Sequence, residues 1–281
     1  MPPSFPRPGP PALPILLALL SAARVQAQLP LTIEEMLVEE ARLTATLRTA
    51  LQTGQQPVLL AGPAGARVGR RDVRSESVAV GLRYGLAPRL EINAFLERRR
   101  RRSEVGALAG ASEQGGTIAL GASWLAYGEP GAGSLLLDLR LDALSRPLPY
   151  AAGAVPAAAA AVGVTWYRAI DPVVLSLAAR YRRARSVEVA GVALAPGDEF
   201  RLDAGVNFAV NRQVTLFGGL QLGRRAADRA DGRSLTATRI GQRLSLGLGY
   251  APTPETTIFV RAALPAGAGG STASLELLYD F

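Results

Sequence analysis

Two hydrophobic periods divide this chain. Over residues 32–53, apolar side chains recur at steps of three and four, through Ile33, Met36, Leu43, Leu47 and Ala50. That spacing predicts an amphipathic helix. Thr32 can cap its start while Glu35 reaches back, and Gly54 ends it. Glu40 interrupts the apolar seam, so the helix is expected to dock on a neighbour or plug an opening.

From Pro57 onward the period becomes two. Val78, Val80, Leu82 and Tyr84 share one face, opposite Ser77, Ala79, Gly81 and Arg83. Leu90, Ile92, Ala94 and Leu96 alternate with Glu91, Asn93, Phe95 and Glu97. Leu135, Leu137, Leu139 and Leu141 alternate with Leu136, Asp138, Arg140 and Asp142. Phe200, Leu202, Ala204, Val206 and Phe208 alternate with Arg201, Asp203, Gly205 and Asn207, and residues 239–250 and 274–281 repeat the scheme. Each such segment reads as a strand with one apolar and one polar face.

The connectors alternate in length as well. Short ones fall at 85–89, 128–133, 169–172, 211–212 and 251–256. Long ones fall at 98–114, 145–156, 184–198, 224–237 and 265–272. Short turns at one rim and long loops at the other describe an outer-membrane β-barrel. Eleven strands are read directly, the last ending at Phe281. An upward strand must precede residue 77, and residues 57–68 are assigned to it despite Pro63. The predicted fold is therefore all-β: an antiparallel transmembrane barrel of about 12 strands, preceded by a short periplasmic helix. Residues 28–56 form the helical segment and 57–281 the barrel.

Aromatic positions point the same way. Tyr84, Trp124, Tyr127, Trp166, Tyr167, Tyr250 and Tyr279 all fall at the lower ends of predicted downward strands. Rings with a polar tip favour the boundary between hydrocarbon and headgroups, so these seven are read as an interfacial girdle. The uncharged stretch from Leu148 to Tyr167 has the length of a membrane helix. Its many alanines, with Pro149, Gly153, Pro156 and Gly163, instead predict a loop followed by a strand from about Ala158.

Composition removes most enzyme chemistry. The chain has no His and no Cys, and its 31 basic residues are all Arg. Triads with His, Cys nucleophiles, ordinary zinc sites, Walker A loops and Schiff bases are excluded. No cofactor or metal is expected, and catalytic residues are not assigned. Asp138 and Asp142 share a face, but Arg140 stands between them, which reads as charge compensation.

The N-terminus carries an address. Arg7 precedes the apolar stretch Ala12–Leu20, and Val25-Gln26-Ala27 offers a small-residue cleavage site. Residues 1–27 are expected to be a secretory signal peptide.

Arg98, Arg99, Arg100, Arg101 and Arg102 form an unbroken run. The run is expected in a long external loop, where lipopolysaccharide phosphates are the available anions. A solvated loop without a dedicated partner is the alternative. Nucleic acid is not expected, because no aromatic residues interleave with the arginines. The faces predicted to line the pore carry mixed charge: Asp138, Asp142, Asp203 and Glu276 with Arg140, Arg180, Arg182, Arg201, Arg239 and Arg243. Glu91, Glu97, Asp280, Arg83 and Arg261 join them. Cross-strand ladders and a weakly anion-selective eyelet are the two readings.

The stretches "GLRYGLAPRLEINAF", "PGDEFRLDAGVNFAVNRQVTLFGG" and "LELLYDF" resemble a loose family of proteobacterial outer-membrane transporter-like barrels. That family includes the porins of meta-pathway phenol degradation. The helix-then-barrel order is similar to the functional-amyloid exporters of pseudomonads, although this helical segment is shorter than theirs. The resemblance implies an outer-membrane channel for small solutes, gated by the N-terminal helix. The alternative is a structural or export-associated barrel that conducts little. It also implies that Phe281 belongs to the signal read by the barrel-assembly machinery. Membrane lipid is the remaining expected partner, and a homo-oligomer is left open.

Overall fold

A strand with one apolar and one polar face must bury one of them, and closing a sheet on itself decides which. In the computed structural model residues 37–62, 65–105, 108–129, 133–145, 158–189, 191–266 and 270–281 are described. Among the described residues sixteen strands are formed. In chain order β1 is Leu43–Gly62, β2 Gly65–Ala87, β3 Leu90–Val105, β4 Leu108–Glu129, β5 Gly133–Ser145, β6 Ala159–Ile170, β7 Val173–Ala184 and β8 Val187–Val189. Then follow β9 Val192–Ala195, β10 Glu199–Ala209, β11 Val214–Arg225, β12 Arg229–Ala230, β13 Arg233–Ser234, β14 Arg239–Thr253, β15 Thr256–Pro265 and β16 Ser271–Asp280. Twelve of them close into an antiparallel barrel in the order β1-β16-β15-β14-β11-β10-β7-β6-β5-β4-β3-β2.

Closure lies between β1 and β16, whose register runs from Thr44 opposite Asp280 to Thr53 opposite Ser271. The Thr44 hydroxyl donates to Asp280 Oδ1 at 2.5 Å, and the Phe281 N–H donates to Leu43 O at 2.9 Å. The apolar faces point outward: Leu47, Leu82, Leu139, Val162, Leu246 and Val260 are each more than 40% exposed. The polar faces line the interior, where Asp142 is 7% and Glu91 2% exposed. This inverts a water-soluble protein and suits a hydrocarbon surround, in which a closed barrel leaves no backbone edge unpaired.

Local sequence sets the turns. At the β10–β11 turn, Asn211 Oδ1 accepts from the Gln213 and Val214 N–H groups at 2.8 and 2.9 Å, the short-range bonding that makes Asn a turn former. At the other rim, β8, β9, β12 and β13 form a separate four-stranded sheet in the order β13-β12-β9-β8. Asp231 (φ 46°) and Gly232 (φ 79°) make the two-residue turn between β12 and β13, as Asp-Gly hairpins require. Asp228, 6% exposed, ties this sheet down by accepting from the Gly197 N–H at 2.8 Å and Arg225 at 3.1 Å.

Four expectations need correcting. The helix over 32–53 is not formed in its described part: Leu43–Thr53 belongs to β1, and Leu37–Arg42 is a turn. The same residues also alternate, with Leu43, Ala45, Leu47, Thr49 and Leu51 against Thr44, Thr46, Arg48, Ala50 and Gln52. Pairing with both β16 and β2 satisfies this backbone and closes the barrel. Residues 28–36 of the predicted helix, and the signal segment 1–27, lie outside the described residues. The strand expected at 57–68 is instead the tip of the β1–β2 hairpin, where Gly62 pairs with Gly65. The strand count is preserved because β1 starts earlier, at Leu43, which is also where the barrel begins. The connectors at 98–114, 184–198 and 224–237 are less loop-like than expected. β3 and β4 extend through most of the first, and the small sheet occupies parts of the others. Arg98–Arg102 therefore lie in a strand, not a loop.

The placement of β1 makes a test. Leu47 sits on the outer face near mid-span, 46% exposed. Leu47→Arg is expected to destabilise the barrel by about 2–4 kcal/mol, the cost of a basic residue at the bilayer midplane. Urea unfolding in lipid vesicles measures it, and a change under ~0.5 kcal/mol, the scale of an ordinary surface substitution, would place Leu47 away from lipid.

Candidate functional site

The lumen divides into two walls that treat charge differently. On the wall built from β2 to β7, most arginines are paired with carboxylates, Arg180 on β7 excepted. Asp142, on β5, accepts from Arg140 Nε at 2.8 Å and from Arg182 Nε and Nη2 at 3.0 and 2.9 Å. Arg140 also stacks on the Phe95 ring at 4.8 Å. Asp138 accepts from the Ser123 hydroxyl at 2.8 Å. Arg83 is held by Glu91 at 2.6 and 2.8 Å, and Arg99 by Glu97 at 2.9 Å. Next to the Asp142 cluster, strand β6 presents the small residues Ala159 and Ala161, both nearly fully covered.

The opposite wall, from β10 through β16 to β1, is different. Arg48, Arg201, Arg243 and Arg261 line one cavity of about 1260 Å³. None of the four is hydrogen-bonded to a carboxylate among the described residues. Asp203 in the same cavity is engaged by Gln221 at 2.6 Å. Glu276 stands opposite Arg48 in the β1–β16 register, without forming a close ion pair with it. Arg48 Nε is fully shielded and has no acceptor, which is uncommon for a buried donor. Arg261 stacks on Phe217 at 4.7 Å, and Phe217 tilts against Phe259 with centroids 6.0 Å apart. Gly247 lets these rings lie against the wall, because a Cβ there would collide with the Phe217 ring and with Val260 O.

The short-turn mouth holds a third arrangement. The turn ahead of β1 enters the barrel: Leu37 is 8% exposed and packs with Leu136, Tyr167 and Leu125. The Val38 N–H donates to Glu91 Oε2 at 3.0 Å, the carboxylate that also binds Arg83. Glu40 bridges Gly85, and Ala41 N–H donates to Gly85 O at 2.8 Å. Leu37, Val38, Glu39 and Arg42 thus line the main cavity together with Arg48 and Arg201.

The residues predicted to line the pore are accordingly separated. Arg201, Asp203 and Arg243 reach the main cavity. Arg140, Asp142 and Arg182 form one ion-pair cluster across the lumen wall, and Asp138 binds Ser123. Arg180 lies on the lumen side opposite Arg201 in the β7–β10 register. Arg239 pairs in register with Arg225 at the long-loop end of the barrel. Sequence reasoning missed Arg48, because its segment was read as a helix, and Leu37 and Val38 for the same reason.

Of the aromatic residues, Tyr84, Trp124, Tyr127, Trp166 and Tyr279 are exposed on the outer face near the short-turn rim. Tyr250 is there too, half-buried and opposite Val214. Tyr167 is the exception. It is 1% exposed and faces inward, since Trp166 takes the outward side of the same strand. Phe281 stands beside Tyr279 in an edge contact at 4.8 Å.

The sequence matches no protein-family model and no curated protein. Solved structures do resemble the fold. An outer membrane channel from Pseudomonas putida F1 superposes with a TM-score of 0.68 at 10% identity, covering 87% of this chain and 97% of that one. The β domain of the Bordetella autotransporter BrkA gives 0.54 at 12% identity, over 85% of this chain and 99% of that one. The translocator domain of the autotransporter NalP from Neisseria meningitidis gives 0.51 at 13% identity, over 86% and 89%. The fold is that of the outer-membrane β-barrels, a class whose structures serve as both channels and translocators.

Proposed function

We propose that this protein is an outer-membrane channel that passes small solutes and favours anions. The observation that carries the reading is the asymmetric lumen. Four arginines without hydrogen-bonded carboxylates face a cavity of about 1260 Å³ on one wall, while on the other wall most arginines are ion-paired. Charge fixed along a narrow low-dielectric passage raises the local concentration of counter-ions, so small carboxylates and inorganic anions are the preferred cargo. Twelve strands suit this scale, since about eight fill with side chains and about 16 leave an open aqueous channel. The P. putida channel, similar in fold, supports a channel reading over an enzymatic one.

A second reading rests on the periplasmic mouth. The turn Leu37–Arg42 throttles the passage, and Glu91 latches it by binding both Val38 and Arg83. In the limit of a tight plug, the barrel is structural or export-associated and conducts little. The autotransporter translocator domains of similar fold keep that function in play.

Two measurements separate these readings. In planar bilayers with a salt gradient, the mature protein is expected to show a reversal potential on the anion side. Arg48→Glu with Arg261→Glu should shift the anion-to-cation permeability ratio by ~10-fold or more toward cations. An unchanged ratio would remove the arginine wall from the permeation path.

Removing residues 28–42 tests the throttle; the deletion must stop there, because Leu43 begins the barrel wall. Conductance is expected to rise, and Glu91→Gln should raise it in the same direction by loosening the latch. Equal conductance in all three proteins would rule out gating by this turn. Silence in all three, from folded protein, would favour the structural barrel.

A further inference from the structure

Five successive arginines in a strand cannot share a face, because side chains alternate. Arg98, Arg100 and Arg102 follow Leu96, which is 54% exposed on the outer face, and Arg98 stands opposite the outward-facing Val78. Arg99 and Arg101 take the lumen side, in phase with Glu97, to which Arg99 is bonded. The outer three are all exposed. They begin one step above Leu96, the last outward-facing apolar residue of β3, with no aromatic ring between. On β2 the same transition occurs between Val78 and Glu76, and Arg74 lies opposite Arg102.

Charge on this outer tier is only partly compensated. Arg74 is bonded to Glu76 at 3.1 Å and Arg98 to Gln114 at 3.2 Å. Arg100 and Arg102 have no partner among the described residues. One step farther from the apolar band, Asp72 stands opposite Glu104, so the basic tier is a narrow belt with acidic residues beyond it. Its place is the height of the headgroups in the leaflet on the long-loop side, since a span of the hydrocarbon takes about 9–11 residues of tilted strand. Guanidinium groups fit phosphate through paired N–H donors.

We infer that Arg98, Arg100 and Arg102, on the outer face of β3, bind the phosphates of the outer-leaflet phosphorylated glycolipid. This surface is independent of the lumen and stands whether or not the barrel conducts. A single residue run would thereby serve two compartments, with Arg99 and Arg101 left to the lumen.

The test uses the whole folded protein in detergent micelles doped with lipid A, counting bound lipid by native mass spectrometry. Wild type is expected to retain lipid A. A variant with Arg98→Gln, Arg100→Gln and Arg102→Gln should lose about tenfold in retention, and Arg99→Gln with Arg101→Gln should keep it. Dephosphorylated lipid A should bind both forms alike and weakly, and inorganic phosphate should not displace the intact lipid. Both variants lie on solvent- or headgroup-exposed positions, and heat-modifiable gel mobility confirms that each is folded. Equal retention by wild type and the outer-face variant overturns the inference, as does an equal loss from the lumen-face pair, which would mean diffuse charge attraction. Retention that does not depend on the lipid phosphates overturns it too.

Discussion

The hydrogen-bonded seam between β1 and β16 is the constraint on which the rest of the molecule depends. In hydrocarbon an unpaired strand edge leaves a row of N–H and C=O groups without partners, each costing several kcal/mol. Leu43–Thr53 must therefore be a strand, whatever its local preference, because its edge partners are the closing strand β16 and the hairpin partner β2. Once the seam is closed, the parity of every residue around the barrel is settled. Apolar positions meet lipid, polar positions meet the lumen, and the turn before β1 is delivered to the short-turn mouth.

From that parity the lumen acquires its asymmetry. Where strands β2 to β7 carry acids among their inward positions, the arginines find partners, and a cluster such as Arg140–Asp142–Arg182 stiffens the wall. Separating one member of such a cluster leaves the others as uncompensated charge in a poorly solvated place. Strands β10 to β16 and β1 carry fewer acids at mid-height, and Asp203 is already satisfied by Gln221. Among the described residues, Arg48, Arg201, Arg243 and Arg261 make no hydrogen bond to a carboxylate. Stacking of Arg261 on Phe217 orients a guanidinium without neutralising it.

Much of this was legible in the sequence, and the failures have physical causes. The inward and outward sets on β2, β3, β5 and β10 follow from period two alone, because within the apolar band each face meets a single environment. The misread segment is β1. A step of four residues, as from Leu43 to Leu47, keeps a side chain on one face of a helix and of a strand alike, so it cannot tell the two apart. The step of three from Leu47 to Ala50 can, and in the strand it crosses the wall into the lumen. The β-branched Thr44, Thr46, Thr49 and Thr53 were the better signal. Tyr167 could also have been placed from parity: adjacent residues of a strand cannot both face lipid, so Trp166 and Tyr167 had to divide. Trp124 and Tyr127, three apart, both face outward only because a bulge between Leu125 and Tyr127 shifts the register, and no residue pattern announces that bulge.

The arginine run shows why a motif needs its backbone before its chemistry can be read. As a loop, five arginines form one flexible cationic cluster whose partner is any nearby anion. As part of β3, they are divided by the pleat into a lipid-side set and a lumen-side set, with a two-residue repeat of about 6.6 Å along each face. That spacing keeps like charges on one face farther apart than immediate neighbours would be, and it places Glu97 within reach of Arg99 but not on the outer face. The same alternation that hides polar groups from lipid thus assigns the two halves of one charged run to different solvents. The lumen half meets a local carboxylate, whereas on the outer half Arg100 and Arg102 have none among the described residues. An uncompensated cation at headgroup height is most stable against a phosphate.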